Sequence, residues 1–251
     1  MVGERDTDAD WNLLGKLDPF WAVITEDRFR AEQMDEQARE AFYTSGHNDI
    51  ASFHAALQRY LQAPDHFQSS LDFGAGIGRL LGPMAAISDQ LVGVDIADSM
   101  REHCQKRLTE LALSHVKLVA TPKEALAHGP FDWVNSYTVI QHIPPTRGLE
   151  LIADLAAQIK PGGFFSLHVT CSREAHLIPP VAKGFLRQQW RDIRARIFPV
   201  QDVGRMTMYD YDLGQVLTIL TQAGCKRFML DPTNHGGHHG YMIYGQMSGE
   251  A

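Results

Sequence analysis

At 251 residues, with 44% hydrophobic and 21% charged side chains, the chain has the make-up of one folded domain with appendages rather than of a disordered segment. A formal charge of −7 argues against a surface built to neutralise long stretches of phosphate, and so against nucleic-acid partners. Cys104, Cys171 and Cys225 lie far apart without metal-ligand spacing, the first ten residues are acidic, and no apolar run approaches the roughly 18 residues a membrane span needs; a cytoplasmic protein with free thiols and no membrane partner is expected.

Residues 1–67 read as a helical segment. Asp27 to Tyr43 is rich in Glu, Gln, Ala and Arg, and Asp49 to Leu61 places Ile50, Phe53, Leu57 and Leu61 at helical spacing. The aromatic stretch Phe42-Tyr43-Thr44-Ser45-Gly46 between them serves either as core or as a cover over the site described below. From residue 68 short apolar runs alternate with helical patterns: strands at Ser70 to Phe73, Gln90 to Val94, Val116 to Ala120, Trp133 to Ser136 and Phe164 to Val169, with helices at Gly78 to Ala86, Asp98 to Leu113 and Leu149 to Ile159. Lys160-Pro161-Gly162-Gly163 is expected to stop the last of these and turn the chain. Alternation at this spacing predicts an α/β fold with a mostly parallel sheet and helices on both faces.

The periodicity lapses over 172–208, which predicts an inserted cap with a helix near Gly184 to Ile197. Arg187, Arg191 and Arg194 share one face of that helix beside Trp190, either as a solvated face or as a surface for an anionic or polyhydroxylated small molecule. Asp210 to Ala223 is again helical, capped by Asp210 or Asp212 and stopped by Gly224. Strands at Lys226 to Leu230 and Tyr241 to Gln246 close the chain, joined by a glycine-loosened loop over Asp231 to Gly240.

One stretch carries the chemistry. Ser70-Leu71-Asp72-Phe73-Gly74-Ala75-Gly76-Ile77-Gly78-Arg79 is a strand turning through three alternate glycines into a helix, the backbone that a ligand requires when it must approach without a Cβ in its way. A dinucleotide fingerprint needs glycine at the sixth position. Counting from Gly74 that residue is Arg79, and from Gly76 it is Leu81. The next strand ends in Asp95, where a carboxylate can accept hydrogen bonds from both hydroxyls of a ribose.

The D-x-G-x-G-x-G run, the strand ending at Asp95, the segment Phe131 to Pro144 and the segment Leu155 to Gly163 together resemble the class I S-adenosylmethionine-dependent methyltransferases, over about residues 68–170 and more weakly through the last helix and hairpin. The resemblance implies a doubly wound, seven-stranded sheet with an antiparallel last strand and S-adenosyl-L-methionine as cofactor. It implies a cofactor site at Asp72, Gly74, Gly76, Gly78, Asp95, Ile96 and Ser136, with Asp72 near the methionine ammonium and Ile96 on the adenine. Where many relatives carry an acid after the third strand, this chain reads Ala120-Thr121-Pro122-Lys123, so no side chain is assigned to the adenine amino group.

The sulfonium brings its own leaving group, so only the acceptor needs help, and a hydroxyl acceptor needs a base. His142 and His168, just past the predicted ends of strands four and five, are the candidates, His142 being favoured by its place on the loop that faces the cofactor in similar enzymes. If the last two strands run as the resemblance implies, the loop histidines His235, His238 and His239 fall on the same rim, as solvated loop residues, as contacts for a polar acceptor or as ligands of a divalent metal. No carboxylate lies within Asn234 to His239, and no metal is assigned. The expected activity is O-methylation of a small hydroxylated metabolite or sugar. The alternatives are N-methylation of a small amine and a non-catalytic cofactor-binding partner subunit.

Overall fold

The computed structural model describes residues 7–177 and 206–249. The predicted cap helix with Arg187, Trp190, Arg191 and Arg194 lies outside the described residues. Seven strands form one sheet: β1 (Phe67–Phe73), β2 (Ser88–Val94), β3 (Val116–Val119), β4 (Phe131–Ser136), β5 (Ile159–Arg173), β6 (Cys225–His235) and β7 (His238–Met247). Their order is β3-β2-β1-β4-β5-β7-β6, with β7 antiparallel to both neighbours and every other pair parallel. Because β1 leads outward to β2 on one side while β4 lies on the other, the strand order reverses at β1, and a crevice opens there beyond the carboxyl ends.

Each sheet face is covered. Leu71, Val134, Phe165 and Ile243 point to the side closed by α7 (Pro145–Ala156) and α8 (Leu213–Gln222). Phe67, Leu91, Trp133 and Tyr244 point to the side closed by α3 (Glu36–Leu61), α4 (Leu81–Ala85) and α5 (Asp98–Glu110). A third cluster joins α1 (Asp8–Leu17) and α2 (Pro19–Val23) to the glycine loop through Leu14, Phe29, Phe42, Ile77 and Met100. Each such fully buried Leu, Ile or Phe contributes roughly 1.5–3 kcal/mol of transfer free energy.

Four expectations are corrected. The two helices expected around Gly46 are one 26-residue helix, α3, which starts at the Asp35 cap, while Asp27–Phe29 is a single 3-10 turn. Gly46 is not a break: a Cβ there would lie 2.3 Å from the Arg79 carbonyl oxygen, so glycine lets the helix lie against the loop. The helix after the loop begins at Leu81 rather than Gly78, since Gly74, Gly76 and Gly78 all have positive φ (80°, 53° and 85°), which no right-handed helix contains. Lys160-Pro161-Gly162-Gly163 lies inside β5, which starts at Ile159 and takes up the irregularity as a register shift against β4.

The expected loose histidine loop is also ordered. β6 and β7 stay paired up to His235 and His238, and the connection is the two residues Gly236 and Gly237, with φ of 61° and 90°. Positive φ at both central positions is the requirement of the tight hairpin turn that suits the twist of its strands. Of the two caps weighed for α8, Asp212 accepts from the Gln215 N–H, while Asp210 is paired with Arg173 at 2.8 Å.

Candidate active site

A cavity of about 940 Å³ occupies the crevice, walled by the glycine loop at Phe73–Gly76, the end of β2 at Asp95 and Ile96, the β4 exit at Tyr137–Val139, and the hairpin tip at His235 and His238. The N-terminal segment, with Trp11, Val23 and Ile24, covers it. Asp95 ties the loop to β2: Oδ2 accepts from the Gly76 N–H at 2.8 Å and Oδ1 from the Ala97 N–H at 2.9 Å. Burial pushes its carboxyl above the usual range, and these two backbone donors oppose the shift. Each oxygen keeps a lone pair for a further donor. Ile96 is 43% exposed at the cavity, an apolar surface available to a planar ring.

Gly74 and Gly76 form part of the cavity wall. A Cβ at Gly74 would meet Val139 at 2.1 Å, and one at Gly76 would project towards Val23. Gly78 faces away from the cavity, its missing Cβ making room for the Cys104 thiol at 3.0 Å. Ser136 is fully buried one residue below the wall, its hydroxyl without a hydrogen-bond partner.

Asp72 ends a buried chain of hydrogen bonds. The Trp133 indole N–H donates to Ser166 Oγ at 2.9 Å, the Ser166 hydroxyl to Asn135 Oδ1 at 2.6 Å, and the Asn135 amide to Asp72 Oδ1 at 2.8 Å. Asp72 Oδ2 is buried with no partner. Burial pushes this carboxyl up to about 6, with Asn135 and Arg79 holding it down and Asp95 adding to the rise. A carboxylate oxygen left unpaired beneath a three-glycine loop, next to a second acid with free lone pairs, suits a ligand that carries both an ammonium group and a ribose.

The candidate bases are placed differently. His142 lies on a 3-10 turn (Ile140–His142) at the cavity wall, edge-on to Trp11. Its Nδ1–H donates to the Thr207 carbonyl at 2.9 Å, and Nε2 accepts from the Gln141 amide at 3.3 Å, which fixes the tautomer. Burial pushes its pKa down to about 4. His168 does not sit past the end of its strand, because β5 continues to Arg173. Its ring packs against Tyr137 and His235, Nε2 bonds the Thr233 hydroxyl at 2.9 Å, and burial pushes its pKa down to about 3. Tyr137 and His235, not His168, form that part of the wall.

Residues without a local signal complete the site. Asp49 and Ser45 reach it from the middle of α3, and both accept from Arg79 Nη1, at 2.5 and 3.2 Å. Thr138 holds φ of +59° at the wall, a conformation costly for a β-branched residue. Of the aromatic stretch 42–46, Phe42 is core and Ser45 reaches the cavity, while Tyr43 stacks under Arg107 on another face. Among the described residues no group of three or more His, Cys, Asp or Glu side chains is placed to hold a metal ion, and no helix is long and apolar enough to cross a membrane. All three cysteines are free.

Residues 71–163 match a family described as a methyltransferase domain. The ubiquinone biosynthesis O-methyltransferase of Paramagnetospirillum magneticum is 27% identical over 122 residues, which are 49% of this chain and 48% of that protein, so the match spans about half of each. Among solved structures, the magnesium protoporphyrin IX methyltransferase of Synechocystis with bound S-adenosylhomocysteine superposes with a TM-score of 0.58 at 18% identity, over 91% of this chain and 93% of that one. A phosphoethanolamine N-methyltransferase of Haemonchus contortus gives 0.55 at 16% identity, over 80% of this chain and 53% of that one. Residues 71–163 are therefore similar to a methyltransferase domain, and the fold of the chain is the one that these solved methyltransferases have.

Proposed function

We propose that this protein is a cytoplasmic O-methyltransferase that transfers a methyl group from S-adenosylmethionine to a small, polyhydroxylated acceptor, with His142 as general base. The observation that carries the reading is His142 at the cavity wall, held by the Thr207 carbonyl in the tautomer whose Nε2 carries the lone pair, which only the long 3.3 Å contact from the Gln141 amide occupies and which an acceptor hydroxyl would displace. The 27%-identical relative, named as an O-methyltransferase, supports oxygen as the target atom. S-adenosylmethionine supplies the methyl group on a sulfonium that is its own leaving group.

The chain's residues do the rest. Asp95 accepts from the ribose hydroxyls, Ile96 packs on the adenine, the glycine loop lets the methionine end approach, and Asp72 provides negative charge beneath it. His142 takes the acceptor's hydroxyl proton as the new C–O bond forms, while Trp11 and the rest of the N-terminal cover exclude water. His235 and His238 present polar ring edges to the acceptor. Arg79 and Arg147, the cations at the described wall, are each paired with an acid, Asp49 and Asp8, which favours hydroxyl groups over an anionic group on the acceptor.

The reading is tested by titrating the protein with S-adenosylhomocysteine and then screening hydroxylated acceptors for release of demethylated cofactor; no binding overturns it. His142→Ala is expected to lower kcat by about 10²- to 10⁴-fold at matched cofactor occupancy. Because burial keeps His142 neutral, its base form is present above about pH 5, and the rate should fall only as pH drops towards 4. Unchanged turnover in His142→Ala removes the base. N-methylation of a small amine is the second reading, favoured by Glu150 and Asp154 at the wall; it predicts turnover of amines with His142→Ala nearly unimpaired, since a neutral amine needs no base.

A further inference from the structure

The chain Trp133–Ser166–Asn135–Asp72 has a direction that chemistry alone sets. An indole N–H can only donate, so Ser166 Oγ must accept from it and turn its own proton onward. Asn135 Oδ1 receives that proton at 2.6 Å, which forces the other end of the amide, its NH₂, to face Asp72 at 2.8 Å. The last member must therefore be an acceptor, and it is a carboxylate with one oxygen engaged and the other buried and unpartnered. Trp133, Asn135 and Ser166 are fully buried and come from two adjacent strands, β4 and β5, so the series has no water to reverse it.

We propose that Trp133, Ser166 and Asn135 are positioning residues for the cofactor, a one-way series of donors that holds Asp72 as a charged acceptor beneath the glycine loop, where the cofactor's ammonium end lies. The proposal rests on the reading of the cavity as a methyl-donor site. The other ionisable groups that bear on Asp72 are Arg79 from the loop, which favours its charge, Asp95 from the end of β2, which opposes it, and the Cys104 thiol from α5, which burial together with the two acids keeps protonated. Burial pushes the Asp72 carboxyl up, and the Asn135 amide and Arg79 oppose that rise, leaving it at about 6. Removing the donor series raises that value. Cofactor binding then needs a higher pH to find the charge in place.

The test is the pH profile of S-adenosylhomocysteine binding by calorimetry between pH 5 and 7.5, below the loss of the ligand's own ammonium proton near pH ~8. Wild-type affinity is expected to rise with pH up to about 6 and then level off. Ser166→Ala should move that knee upward by about one pH unit, making binding about fivefold weaker at pH 6, about tenfold weaker at pH 5 and nearly normal at pH 7.5. Trp133→Phe keeps the ring and loses the donor, and should move the knee in the same direction, so the proposal stays testable if one variant folds poorly. Asp72→Asn should bind weakly with no knee. A knee shared by wild type, Ser166→Ala and Trp133→Phe overturns the proposal and leaves the cofactor reading standing, as does a loss of equal size at every pH, which marks a purely structural role. No binding by wild type at any pH overturns the cofactor reading and, with it, the proposal.

Discussion

Asp95→Ala is expected to weaken S-adenosylhomocysteine binding by about 10²-fold or more, measured by calorimetry on protein whose thermal unfolding is otherwise cooperative. Two charge-assisted hydrogen bonds to a ribose contribute roughly 1.5–3 kcal/mol each, and the alanine variant loses both. A second loss compounds the first, because the same carboxylate accepts from Gly76 and Ala97 and so holds the loop in register with β2. Asp95→Asn should not rescue binding. Its amide nitrogen would face the N–H of Gly76 or of Ala97, donor against donor, so the isosteric change removes a loop tether as well as the charge. Wild-type affinity in Asp95→Ala would remove Asp95 from the site and with it the ribose reading.

The parts of this site that were legible in the sequence are those that a short stretch of backbone determines by itself. Three alternate glycines after a strand dictate left-handed dihedrals, and an acid at the end of the next strand lands beside them because β1 and β2 are paired in register from Phe67 and Ser88 to Phe73 and Val94. The misreadings have the opposite character. The two helical patterns on either side of Phe42 to Gly46 are one helix, in which Gly46 makes room for the Arg79 carbonyl 33 positions on. Gly236-Gly237 reads as looseness, yet two positive φ values in succession make the shortest hairpin and carry the pairing of β6 and β7 to its tip. His168 was expected past a strand end, but the strand is extended by pairing with β7 as far as Arg173. Asp49 and Ser166 had no local signal at all. Each acquires its role from a partner 30 or 31 positions away in sequence, and only the fold brings them together.

Asp49→Ala is expected to cost about 2–4 kcal/mol of stability, lowering Tm by roughly 5–15 °C. Arg79 is the reason: its side chain is only 7% exposed, and Nη1 relies on Asp49 and on the weaker acceptor Ser45, while Nε has no partner. Removing Asp49 strands a buried guanidinium, which normally costs about 3–5 kcal/mol; the lower figure allows for water reaching the site where Asp49, 30% exposed, had been. Arg79→Leu alone leaves an acid that water can still solvate, so its cost should be smaller. The double variant should be more stable than Asp49→Ala, because the stranded charge is gone; stability losses that simply add would show that the two side chains are not coupled. The pair also bears on the cofactor. Arg79 draws Asp72 towards its charged form from one side while Asp49 engages it from the other. Losing Arg79 in the double variant removes the cation that favours the Asp72 charge, so the Asp72 carboxyl is expected to be pushed further up. The double variant should therefore regain stability relative to Asp49→Ala without regaining S-adenosylhomocysteine affinity; affinity regained there would show that Arg79 is not needed to keep Asp72 charged.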